Sequence, residues 1–138
     1  MLKKIMLTAC SKSKLTFRAK AKDMYKGNVF KASIEYAEFL GIKNVYVLSA
    51  KYGLLHLDQE IDPYEKTLNK MRKPERLLWA SKVIEQIYKI CNIEETEFTI
   101  IAGVRYREFL LNHLKSYKIP LAGVTQFKQY PKVMELMS

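Results

Sequence analysis

The sequence predicts one α/β domain over residues 1–138, a three-layer sandwich with a mostly parallel central sheet of about four strands and helices on both faces. Short apolar runs of strand length alternate with longer segments whose apolar residues recur at helical spacing. The chain has the size of one domain, is 49% hydrophobic and contains no internal repeat or linker. Strands separated by helices at this spacing indicate right-handed crossovers between parallel strands.

The first half of the chain provides two strands and a helix. The apolar run over 3–10 predicts a central strand, because the polar SKSK that follows cannot continue a buried strand. Over 28–40 the apolar residues recur at helical spacing, with Asn28 as the expected N-cap and Gly41 just beyond the last turn. The β-branched and aromatic run over 44–50 predicts a second buried strand.

The second half continues the alternation. Pro74 stands where a helix is expected to start, since proline is favoured in the first helical turn. We predict, in order, a helix over 73–91, a strand over 97–103, an amphipathic helix over 106–117, a short strand over 119–124 and a helical turn over 131–137.

Composition argues against several protein classes. No apolar run approaches the roughly 20 residues that span a bilayer, and the first residues are too short and too mixed for a secretory signal. We therefore expect a cytoplasmic protein without membrane contact. Cys10 and Cys91 lack the spacing of a zinc site, and a disulfide is not expected in a reducing compartment. No metal and no cofactor are predicted.

The charge is strongly basic and unevenly distributed. Lysine and arginine number 24 against 14 acidic residues, for a net charge of +10. Residues 1–28 contain eight basic side chains and only Asp23 as an acid, so this segment contributes +7. Such a segment predicts a polyanionic partner, a nucleic acid or a nucleotide. The alternative is that the lysines only confer solubility.

In a parallel α/β sheet, ligands bind outside the carboxyl ends of the strands, an edge called here the rim. Polar loops follow each predicted strand, so their side chains should converge there. The predicted phosphate-binding or nucleic-acid-binding residues are Ser11, Lys12, Ser13, Lys14, Lys51 and Arg107. The predicted base-contacting residues are Tyr52, Gly53, Tyr64, Gly103 and Tyr106. Neither a P-loop motif nor a GxGxxG fingerprint is present.

Two carboxylates in the long segment after the second strand are the candidate catalytic residues. Asp58 and Asp62 could act as a general base or stabilise positive charge, and Asp62 precedes Pro63, which favours an extended backbone. The alternative is that each aspartate caps a turn. Leu54 and Ile61 are among the apolar residues expected to anchor this segment to the core, which would hold its polar side chains in one geometry.

Three stretches carry a resemblance to a known family. LSAKYGLLHLDQEIDPYEKTL, over 48–68, is similar to the signature of the YaaA family and its smaller relatives of unassigned function. TACSKSK over 8–14 resembles the family's N-terminal serine and lysine motif, and AGVRYREFL over 102–110 resembles a segment of the smaller relatives. The resemblance implies a fold like the uracil-DNA glycosylase superfamily, an association with DNA or modified bases and, for YaaA itself, a link to peroxide stress.

Two functions follow as hypotheses. The first is a glycosylase-like hydrolase that acts at the N-glycosidic bond of a nucleotide or nucleic acid, with a flipped base, a carboxylate facing the oxocarbenium charge and cations on the phosphates. The second is a non-catalytic DNA- or RNA-binding protein that uses the basic rim alone. The orientation of Asp58 and Asp62 discriminates between them, because aspartates that point away from the crevice remove the main support for catalysis.

Overall fold

The computed structural model describes residues 2–138, which form seven strands and five α-helices. The strands are β1 (Lys3–Ala9), β2 (Ala19–Lys20), β3 (Asn44–Ser49), β4 (Gly53–His56), β5 (Glu60–Ile61), β6 (Thr96–Ile101) and β7 (Ser116–Lys118). The helices are α1 (Ala21–Met24), α2 (Asn28–Phe39), α3 (Lys73–Ile90), α4 (Val104–Arg107) and α5 (Gln126–Leu136).

The main sheet has five strands in the order β4, β3, β1, β6, β7. Strand β1 lies at the centre and runs parallel to both β3 and β6, and β7 continues the parallel arrangement at one edge. Only β4, at the other edge, is antiparallel to its neighbour. The predicted mostly parallel sheet is confirmed, with one strand more than the sequence suggested.

Helices cover both faces of the sheet, which confirms the three-layer sandwich. Alternate residues of β1 point to opposite faces, so Ile5 packs with α3 residues such as Val83, while Met6 packs with Ala37 of α2 and Val133 of α5. Each of these side chains is almost fully buried. Burying one large apolar side chain contributes roughly 1.5–3 kcal/mol, so the packing of both layers on the sheet stabilises the fold.

The two long helices agree closely with their sequence signals. Helix α2 begins one residue after the N-cap Gly27, so the predicted N-cap Asn28 is already the first helical residue. Gly41 follows this helix with a φ of 74°, the left-handed conformation that ends helices. Pro74 lies in the first turn of α3, as predicted.

The segment over 106–117 corrects the prediction of one amphipathic helix. Helix α4 ends at Arg107, a short 3₁₀ turn follows over Leu111–His113, and β7 begins at Ser116. Residues 119–124, predicted as a strand, lie beyond β7. The backbone of β7 pairs with the open edge of β6. This pairing satisfies hydrogen-bonding groups of β6 that a continued helix would leave unpaired.

The segment after β3 is a hairpin and a small second sheet where a loop was expected. Strand β4 returns alongside β3, and the two-residue strand β5 pairs with β2 in an antiparallel second sheet. Leu54, Leu55 and Ile61 are buried, so the predicted anchoring of this segment is confirmed. At the other end of the chain, the predicted helical turn over 131–137 is part of the longer helix α5.

None of the helices in the described residues is long and apolar enough to cross a membrane.

Candidate functional site

The carboxyl ends of β1, β3 and β6 lie side by side, because these three strands are parallel neighbours. Helix α2 starts at the same edge, where the backbone N–H of Gly27 donates to Ser11 Oγ at 3.2 Å. The rim predicted from the sequence therefore brings together the loop after β1, the turn after β3 and the amino end of α2.

The loop after β1 is held by its own backbone and by Ser11. The Ser11 hydroxyl donates to the carbonyl of Ser13 at 2.7 Å, and the Lys26 N–H donates to the same carbonyl at 2.9 Å. Lys14 forms an isolated antiparallel bridge with Tyr25. Within the motif over 11–14, Lys12 and Ser13 are exposed, while Ser11 and Lys14 are half-buried.

A chain of hydroxyl groups lies beneath the rim. Tyr64 Oη is 2.7 Å from Ser49 Oγ and 2.7 Å from the hydroxyl of Tyr25, while Ser49 Oγ also accepts the N–H of Tyr52 at 3.0 Å. Burial raises the pKa of Tyr64 and the pKa of Tyr25 well above the usual value for tyrosine. Both phenols therefore stay neutral at ordinary pH, and the Tyr64 ring is fixed in position.

A cleft opens between the segment 12–16 and the segment 63–65, with a volume of about 300 Å³. We call it the lysine cleft. It is lined by Lys12, Lys14, Leu15, Thr16, Pro63, Tyr64 and Glu65. The ammonium group of Lys14 lies 4.6 Å from the centre of the Tyr64 ring, within the range of a cation–π contact. In the part of the chain that the structure describes, neither Lys12 nor Lys14 has a salt-bridge partner.

The two candidate catalytic aspartates do not line this cleft. Asp62 Oδ2 pairs with Arg18 at 3.2 Å and Asp58 Oδ1 pairs with Lys22 at 3.3 Å, with the aspartate side chains 62% and 58% exposed. Strand β4 carries the chain away from the rim, since His56 lies opposite Tyr46. At about 3.3 Å per residue, His56 lies roughly 10 Å along β4 from Gly53, and Asp58 follows the end of that strand. The catalytic roles of both aspartates stay predictions.

The turn after β3 places Lys51 and Tyr52 at the rim. Tyr52 packs edge-on against Tyr64, with ring centres 5.6 Å apart, and Lys51 Nζ lies 5.2 Å from the centre of the Tyr52 ring. The Tyr52 hydroxyl accepts the N–H of Asp62 at 3.3 Å. Tyr52 therefore supports the position of Tyr64, and its hydroxyl is already engaged by backbone.

Gly53, predicted to contact a base, lies under the turn against helix α3. Its φ is 77°, and a Cβ at this position would lie 2.4 Å from Gln86 Oε1. The same oxygen accepts the N–H of Leu54 at 2.8 Å. The absence of a side chain at Gly53 is required by the hairpin and by its packing on α3.

The loop after β6 does not line the lysine cleft. Gly103 is the exposed N-cap of α4, and Arg107 Nη1 donates to the carbonyl of Ala102 at 2.6 Å. Tyr106 is buried, and its hydroxyl accepts from Cys10 Sγ at 3.6 Å and from the Leu68 N–H at 3.3 Å. Burial raises the pKa of Tyr106 to about 12. These residues hold the end of β6 in place.

Sequence reasoning missed two members of the site. Tyr25 supplies the buried end of the hydroxyl chain, and Glu65 supplies a carboxylate to the lysine cleft. Glu65 directly follows the Pro63–Tyr64 pair, so its adjacency to a predicted site residue was the available signal. Tyr25 has no comparable signal, because its contacts come from distant parts of the chain. In the described residues, no group of three or more histidine, cysteine, aspartate or glutamate side chains is placed to hold a metal ion.

No curated protein and no solved structure matches the sequence significantly. A family model of unknown function matches residues 5–134, nearly the whole chain. The chain therefore belongs to the family of unknown function DUF6884.

Proposed function

We propose that the protein binds a nucleotide, either free or as a unit of a nucleic acid, in the lysine cleft. The observation that carries this proposal is the pair Lys12 and Lys14, which line a cleft of about 300 Å³ beside the aromatic ring of Tyr64 without a salt-bridge partner among residues 2–138. Ammonium groups suit phosphate oxygens, and an aromatic and apolar wall suits a sugar or a base.

Two basic side chains of the N-terminal segment are already engaged by carboxylates. Arg18 and Lys22 of the basic N-terminal segment are paired with aspartates, so they are less available to a phosphate than the cleft lysines. The remaining excess of the +10 chain attracts polyanions from a distance. The volume of the cleft, about 300 Å³, is at the lower end of the range for small-molecule sites, which fits one nucleotide unit.

Binding, and not cleavage of the N-glycosidic bond, is the activity we propose. Asp58 and Asp62 are exposed and paired with cations outside the cleft, so the carboxylates chosen from the sequence give no support to catalysis. The resemblance to the YaaA family and to DNA glycosylases stays a prediction. We also propose a cytoplasmic location, supported by the two free thiols, Cys10 and Cys91.

A matched pair of double variants tests the proposal. Lys12→Ala/Lys14→Ala removes the two cleft cations, while Lys43→Ala/Lys89→Ala removes the same charge from exposed positions elsewhere. Binding of a short fluorescein-labelled single-stranded oligonucleotide is followed by anisotropy between about 50 and 200 mM salt. If the cleft lysines contact phosphates, the cleft variant weakens binding, and the slope of log K against log salt falls by about 1.4, at about 0.7 per contact.

The control variant should retain most of the affinity. Equal weakening by both double variants would show that binding follows total charge, and unchanged binding by the cleft variant would show that the cleft is not used. Either result would refute the proposal. Melting temperatures of both variants establish that the substitutions leave the fold intact.

A further inference from the structure

The lysine cleft is lined by charges of both signs. Lys12 and Lys14 belong to the segment 12–16, and Glu65 belongs to the opposing segment 63–65. In the described part of the chain none of the three side chains has a salt-bridge partner, so the lysines and the glutamate do not neutralise one another. Residues of both charges therefore line the cleft, two lysines on one segment and a glutamate on the other.

The presence of both charges restricts how a nucleotide can lie in the cleft. A phosphate is attracted to the ammonium groups of Lys12 and Lys14 and repelled by the carboxylate of Glu65. Glu65 carries only hydrogen-bond acceptors when ionised, so it favours ligand groups that donate. In a nucleotide those groups are the ribose hydroxyls and the exocyclic amines, and a carboxylate that binds the 2′-hydroxyl is a recurrent solution in nucleotide sites.

We propose that Glu65 is a specificity-determining residue that selects a ribonucleotide by accepting a hydrogen bond from its 2′-hydroxyl, while the 5′-phosphate lies against Lys12 and Lys14. This inference rests on the proposed function, since it requires that the cleft binds a nucleotide. Leu15, Pro63 and Tyr64 also line the cleft and supply its apolar surface. The ligand is a 5′-phosphorylated ribonucleotide unit, and both a free mononucleotide and a unit of single-stranded RNA carry it.

Calorimetric titration with four probes tests the assignment: AMP, 2′-deoxy-AMP, a short oligoriboadenylate and the matching oligodeoxyadenylate. The wild-type protein should bind the ribose form of each pair about tenfold more tightly, the effect of one charge-assisted hydrogen bond. Glu65→Ala should bring the ratio close to one. Glu65→Gln keeps an acceptor but loses the charge, so it should retain part of the preference and bind inorganic pyrophosphate more tightly than wild type.

Glu85→Gln is the matched control, because Glu85 is exposed on α3 and does not line the cleft. It should leave both the ratio and pyrophosphate binding unchanged. A preference confined to the oligonucleotide pair identifies the ligand as RNA, and one present for AMP identifies a free nucleotide as sufficient.

Two results would overturn the inference in distinguishable ways. If wild type binds ribose and deoxyribose forms equally, or if Glu65→Ala keeps the preference, Glu65 is not the selecting residue, although the cleft still binds nucleotides. If no probe binds, or if Lys12→Ala/Lys14→Ala binds all four probes as wild type does, the proposed function itself fails and the role of Glu65 fails with it.

Discussion

Tyr64→Phe removes one hydroxyl group while keeping the aromatic ring that lines the cleft. That hydroxyl is hydrogen-bonded at 2.7 Å to Ser49 and at 2.7 Å to Tyr25, whose side chain is fully buried. Each such bond contributes a net 0.5–1.5 kcal/mol, so the substitution should lower the free energy of unfolding by about 1–3 kcal/mol. The upper part of this range applies if the Tyr25 hydroxyl finds no new partner, because an unsatisfied buried hydroxyl is costly.

The expected change in melting temperature follows from the size of the chain. An unfolding entropy of about 2.1 cal/mol/K per residue gives roughly 0.29 kcal/mol/K for this chain, so the loss corresponds to about 3–10 °C. Thermal unfolding followed by circular dichroism measures it. Tyr88→Phe on the surface of α3 is the control, since the Tyr88 side chain is 58% exposed. Equal melting temperatures for the two variants would refute the idea that the hydroxyl chain stabilises the rim.

The double variant Tyr25→Phe/Tyr64→Phe refines the same measurement. It removes both ends of one hydrogen bond and leaves no unsatisfied phenol, so its loss should be smaller than the sum of the two single losses. Strictly additive losses in urea titrations would show that the two hydroxyls do not stabilise each other.

Three further predictions concern stability. The pKa values of the tyrosines Tyr25, Tyr64 and Tyr106 are raised in the folded protein because these side chains are buried. Their contribution to stability is therefore complete below a pH of about 10 and is lost as the pH rises through the folded pKa values. Urea titrations from pH 9 to about 12 should show this decline in the free energy of unfolding, and a flat profile would contradict it. Leu54→Ala should cost about 2–5 kcal/mol, because its side chain is buried against α3, and a loss below about 1 kcal/mol in the same titrations would mean that the hairpin is not anchored there. Asp62→Asn removes an exposed ion pair and should change stability by less than about 1 kcal/mol, so a variant that fails to fold would make this carboxylate structural.

The basic side chains of the N-terminal segment differ in the structure in whether a carboxylate pairs with them. By sequence it contributes +7, and all eight basic side chains look equivalent. In the structure Arg18 and Lys22 are paired with aspartates, whereas Lys12 and Lys14 line the cleft. Salt-dependent binding should therefore depend more on the cleft lysines than on the paired side chains.

The amino-acid sequence by itself determined the three central strands, the two long helices and the edge at which their loops meet. Strands β1, β3 and β6 are buried on both faces, so each must be a continuous apolar run, and such runs are readable without any partner. Parallel pairing then places all three carboxyl ends at one edge. The serine and lysine loop after β1 and the Lys51–Tyr52 turn were predicted at the rim for this reason.

Only the tertiary structure decided which of the polar side chains work together. Asp58 and Lys51 stand seven positions apart in the sequence, yet β4 carries Asp58 away from the rim because it pairs antiparallel to β3. Strand β7 forms in a segment whose apolar residues keep helical spacing, because its backbone can hydrogen-bond to the open edge of β6. Those hydrogen bonds cannot be predicted from the spacing of apolar residues within the segment. The lysine cleft joins segments some 50 residues apart, and Glu65 and Lys14 lie in it together because β5 pairs with β2. Local periodicity determines which residues are buried, whereas long-range pairing determines which exposed residues become neighbours.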